Sequence, residues 1–113
     1  MKTTEKHLEE LPDMSFVQTL AATDLEFQHQ FISTLKEEFT TDYVVYLYHM
    51  ELDEPRTAAE LVAKLKFVLS FLGMNAAFIF AERHEEKLAL GDSSSNAQFK
   101  KILTTVQTFL SKY

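Results

Sequence analysis

Four histidines carry most of the chemistry open to this chain of 113 residues: His7, His29, His49 and His84. An imidazole serves as nucleophile, proton shuttle or metal ligand. Metal binding requires several such groups to converge on one point. His84, Glu85 and Glu86 are contiguous and so diverge around a helix, and the residue three before His84 is Ala81 rather than Glu. No metal site is expected. Cysteine is absent, which removes thiol catalysis and thiolate ligation. Ser93, Ser94 and Ser95 read as a turn, and no Ser, His and Asp grouping assembles. There is no glycine-rich phosphate loop. No cofactor and no enzymatic activity are expected, and each histidine is read as a surface or half-buried side chain.

The elements that must position these groups are helices. Hydrophobic residues make up 46% of the chain and charged residues 25%, the balance of a globular domain. With 2 Gly and 2 Pro, turns are too few for an all-β fold. A net charge of -6 argues against the basic footprint that nucleic acid demands. No apolar run approaches the roughly 18 residues of a membrane span. The opening MKTTEKHLEELPD has no apolar signal core. The expected address is therefore the cytoplasm, with no membrane partner.

Residues 1–12 are polar and predict a loose or short helical lead-in, followed by one domain over 13–113. Asp13 or Ser15 starts a short helix through Phe16, Val17 and Leu20. Asp24 caps a long helix in which Ile32, Leu35, Phe39, Tyr43, Tyr46 and Met50 recur at steps of three and four. Asp53-Glu54-Pro55 ends it and opens the next helix, which stops at Gly73. A further helix from about Asn75 to Leu90 is expected to bury Phe78, Ile79 and Leu88. Gly91 to Asn96 is the clearest loop. In the last helix Phe99, Ile102, Leu103, Val106, Phe109 and Leu110 recur at helical spacing. Four long helices with brief connections predict an all-α, up-down-up-down antiparallel four-helix bundle with a short extra N-terminal helix.

The helix around Glu60 to Gly73 has an unusual outer face. At about 100° per residue, Ala58, Leu61, Val62, Leu65, Val68, Leu69 and Leu72 share the buried side. Ala63 and Phe67 point away from it, flanked by Glu60 and Ser70. Phe71 lies nearby, and Lys64 and Lys66 fall toward the edges. An apolar strip with a polar rim marks a docking surface, unless the N-terminal lead-in folds over it.

This register, Val62-Ala63-Lys64-Leu65-Lys66-Phe67-Val68-Leu69-Ser70-Phe71-Leu72-Gly73, resembles the signature of histidine-containing phosphotransfer (HPt) domains of bacterial phosphorelays. The family motif reads approximately A-H-x-L-K-G-x-x-x-x-L-G, and Leu65, Lys66, Leu72 and Gly73 match it. The resemblance extends over nearly the whole chain, including the acidic start at Asp24 to Phe27 and the close at Glu82 to Asp92. Two positions depart from it. The phospho-accepting histidine falls on Ala63, whose methyl group has no lone pair. The small residue one turn later falls on Phe67. None of the four histidines sits in the motif register.

The resemblance implies a phosphorelay scaffold without its nucleophile. Its expected partner is a response-regulator receiver domain or a histidine kinase, met by a monomer through Glu60, Ala63, Lys64, Lys66, Phe67, Ser70 and Phe71. Two alternatives stand beside it. One is a working phosphotransfer protein whose histidine has been replaced at position 63. The other is a structural bundle that self-associates through the Phe strip.

Overall fold

Three helix ends in this chain close in the same way. Leu52, Leu72 and Leu90 each cap a helix, and each is followed by a residue with positive φ: Asp53 (58°), Gly73 (71°) and Gly91 (88°). The next amide then reaches back to the third-last carbonyl of the helix. Glu54 N donates to His49 O (2.9 Å), Met74 N to Leu69 O (2.9 Å) and Asp92 N to Lys87 O (2.8 Å). This closure satisfies carbonyls that the helix ends leave open. Glycine adopts the required backbone freely, and aspartate is one of the few other residues that tolerate it.

A computed structural model describes residues 6–20 and 22–113. Among them the chain is all helical, with no strand. The elements are α1 (Lys6–Glu9), α2 (Ser15–Leu20), α3 (Leu25–Glu51), α4 (Pro55–Phe71), α5 (Asn75–Ala89) and α6 (Asn96–Leu110). No helix among the described residues is long and apolar enough to cross a membrane. Asp24 caps α3 by accepting from the Phe27 amide at 3.0 Å, and Pro55 occupies the first turn of α4.

The long helices pack in sequence, α3 on α4, α4 on α5 and α5 on α6, and α6 closes back onto α3. Phe39, Tyr46, Val62, Leu65, Leu69, Leu88, Phe99 and Leu103 are sealed from solvent between them. Each such large side chain contributes about 1.5–3 kcal/mol by leaving water. Two expected faces need correction. Ile79 is half exposed (50%) because α5 turns Ala77, Ala81, His84 and Leu88 inward. Leu61 is half-buried, at the margin of the α4 stripe rather than within it.

The segment before α2 is tied to the rest of the structure. The Asp13 amide donates to Leu72 O at 2.9 Å, and Met14 is buried, as is Val17 of α2 itself. The Glu10 carboxylate accepts from the Ala76 and Ala77 amides at 2.8 Å each. It thereby caps α5, whose own N-cap residue, Met74, makes no side-chain cap. The first part of the 1–12 lead-in, residues 1–5, lies outside the described residues.

Candidate functional site

The outer face of α4 is built around a lysine that leaves the strip and two phenylalanines that border it. Lys66 turns toward α5, and only 17% of its side chain is exposed. Its Nζ donates to Glu85 Oε1 at 2.9 Å and lies 3.8 Å from Glu82 Oε2. The hydrogen bond to Glu85 holds the ammonium above its ordinary pKa, and the charges of Glu85, Glu82 and Glu86 add to this against the opposing effect of burial. The same Nζ lies 5.9 Å from the ring centroids of both Phe67 and Phe78, within cation–π range. Those two rings are tilted against each other at 6.4 Å.

Phe67 therefore has one supported edge and one open face, and the residue is 55% exposed. Ala63 lies one turn before it, half-buried, with Glu60 and Ser70 exposed alongside. Lys64 holds Asp42 of α3 at 3.1 Å, yet its side chain stays 65% exposed. It is the cation this face offers to solvent. Lys66 lies toward the α5 edge of the strip, where its charge is engaged by the α5 carboxylates.

The far end of the strip is different. Phe71 is half-buried, stacked on Phe16 of α2 at 6.1 Å and edge-on to Phe31 of α3 at 5.5 Å. Among the described residues, α2 thus covers Phe71 and leaves Phe67 open. Beside Phe71 an apolar cleft of about 360 Å³ runs between Phe27, Phe31 and Leu35 of α3.

A methyl group, which has no lone pair, stands at position 63, and the Lys66 ammonium is engaged by Glu85 and Glu82. His29 is exposed, His49 Nδ1–H donates to Glu54 Oε1 (2.7 Å) across the α3–α4 turn, and His7 stacks on Phe80. Glu26 and His29 do stand three residues apart on α3, a spacing that suits metals, but both are exposed. No group of three or more potential ligands gathers among the described residues.

His84 is the exception to the expected surface or half-buried histidines. It is completely buried, with Nε2 2.8 Å from the Tyr46 hydroxyl, which in turn donates to Asn96 Oδ1 at 2.6 Å. Sequence reading missed this group because it joins α3, α5 and the start of α6 across gaps of 38 and 50 positions. The contact of Phe78 with Phe67 is likewise not legible in the sequence, because the spacing along α5 assigns Phe78 to the core. No family model matches the chain, and neither does any curated protein or solved structure.

Proposed function

We propose that this chain is an up-down-up-down four-helix bundle of the HPt type that has lost phosphotransfer chemistry and retains docking. The closed order of helix contacts, α3 to α4 to α5 to α6 and back to α3, supports the architecture. The open face of Phe67 beside Ala63 is the observation that carries the functional reading.

The occupant is a response-regulator receiver domain. A receiver presents an acidic phosphorylation pocket, and charge complementarity favours the exposed Lys64 at the rim. Phe67 enters the partner as an aromatic anchor, a role that such residues fill at well-packed interface centres. Without an imidazole at position 63 the complex passes no phosphoryl group. The protein then sequesters its partner or competes with a working phosphotransfer protein, acting in the cytoplasm.

The test is a titration of receiver domains with the intact chain and with Phe67→Ala. Loss of a buried aromatic anchor costs about 2 kcal/mol or more, roughly 30-fold in Kd. Equal affinity of both forms refutes the docking role. Concentration-dependent sedimentation abolished by the same substitution favours self-association through this face instead.

A further inference from the structure

On the side of α5 away from Lys66, a cleft of about 350 Å³ opens between α1, α5 and the start of α6. Its polar lining comes from His7, Arg83, His84, Lys87, Ser95 and Gln98. Among the described residues no carboxylate lines it, although the chain carries 17 acidic residues against 11 basic ones. Among the described residues, neither Arg83 nor Lys87 has a carboxylate partner. Lys87 Nζ spends one hydrogen bond on Ser95 Oγ at 3.0 Å. Two protons remain on the ammonium. Asp92, whose charge acts on His84 and Lys87, accepts from the Ser94 amide at 2.9 Å.

The inner wall carries the second observation. The Tyr46 hydroxyl has one proton, and that proton goes to Asn96 Oδ1. His84 Nε2 must then be the donor to the Tyr46 oxygen, which leaves Nδ1 as a bare acceptor. This Nδ1 is buried and has no hydrogen-bond partner, and His7 Nε2 at the cleft is in the same condition. A buried polar nitrogen without a partner is uncommon and calls for an occupant. The ring is held in place by stacking: His7 lies parallel to Phe80 at 4.2 Å, and Phe80 lies nearly parallel to His84 at 6.4 Å.

The cleft thus offers cations on its rim and an unpaired acceptor on its wall. We infer that it binds a small oxyanion that also carries an acidic O–H, with inorganic hydrogen phosphate the simplest case. The anionic oxygens meet Arg83 and Lys87, and the P–O–H donates to His84 Nδ1. Sulfate at neutral pH has the charge and lacks the proton. Phosphodiester headgroups of common lipids lack that proton as well. This site is independent of the α4 docking face.

The experiment is a titration of the intact chain with inorganic phosphate at neutral pH, followed by the imidazole ¹⁵N resonances, with sulfate at equal ionic strength as the comparison. Saturable binding is expected, with the His84 Nδ1 resonance moving and phosphate favoured over sulfate by about tenfold, the worth of one hydrogen bond to a charged group. Arg83→Gln, a change at an exposed position, should weaken phosphate binding by about tenfold and leave helicity intact. Absence of saturation in the millimolar range overturns the site. Equal binding of sulfate and phosphate overturns the role of His84 Nδ1, and unchanged affinity in Arg83→Gln overturns the placement of the anion.

Discussion

The Tyr46 hydroxyl and the His84 imidazole meet 2.8 Å apart in the interior, each completely shielded from solvent. The pair couples α3 to α5 and gives the phenol and the imidazole Nε2 a partner inside the core. Burial pushes the Tyr46 phenol above its ordinary pKa. Burial first, and the charge of Lys87 second, lower the His84 pKa from 6.5 to about 4, with Asp92 opposing.

Acid should therefore weaken the fold through His84. The unfolded chain takes up the proton near its ordinary value while the folded chain refuses it. Stability from this residue is complete above about pH 6.5, declines as the pH falls, and levels off below about pH 4. At about 1.4 kcal/mol per pH unit the full loss is on the order of 3 kcal/mol. Urea denaturation at a series of pH values measures it. His84→Leu should flatten the decline across that window, and an unchanged slope in this variant sinks the assignment.

Glu10 supports α5 from outside the helix. Glu10→Ala removes the acceptor of two amides at the first turn and should cost about 1–2 kcal/mol. Hydrogen exchange reports it locally: the Ala76 and Ala77 amides should lose protection before the middle of α5 does. Unaltered exchange at both amides argues that the cap is dispensable.

The two phenylalanines of the α4 strip should separate in a stability measurement. Phe71 packs against Phe16 and Phe31, so Phe71→Ala should lower stability by about 2–4 kcal/mol. Phe67 touches Phe78 along one edge and is otherwise open, so Phe67→Ala should cost about 1 kcal/mol or less. A reversed order in thermal or urea unfolding contradicts the described exposure.

Ala63→His introduces an imidazole at the position where the HPt resemblance places the phosphorylated residue. We expect no phosphate uptake from a phosphorylated receiver. On the proposed docking reading Phe67 fills the partner's approach, and Lys66 is held by Glu85 rather than free to balance phosphate charge. Uptake by Ala63→His, Phe67→Gly with none by the single variant would identify the ring as the block. Rapid uptake by the single variant would instead reveal a working phosphotransfer protein with a replaced histidine.

Local signals carried much of the architecture. Asp24, Gly73 and Gly91 mark helix ends through short-range hydrogen bonds and φ, and both are written into the residue type. The outward direction of Phe67 follows from helical geometry alone. Asp53 gave less warning of its left-handed backbone than a glycine would have. What stayed hidden depends on distant partners. Lys66 swings off the strip because Glu82 and Glu85 happen to face it across α5. His84 looks like a surface residue within Arg83-His84-Glu85-Glu86 until Tyr46 is brought beside it. Ile79 was assigned to the core because its hydrophobicity says nothing of which face of α5 the alanines would claim.

The link from Glu10 to Ala76 spans 66 positions of chain. Closing so long a loop carries an entropic penalty that local helix contacts do not. During synthesis the carboxylate leaves the ribosome early and has nothing to hold until α5 follows. Docking of the arm through Glu10 is thus expected to follow the formation of α5. Truncating the arm should leave a chain that still collapses and fails to lock.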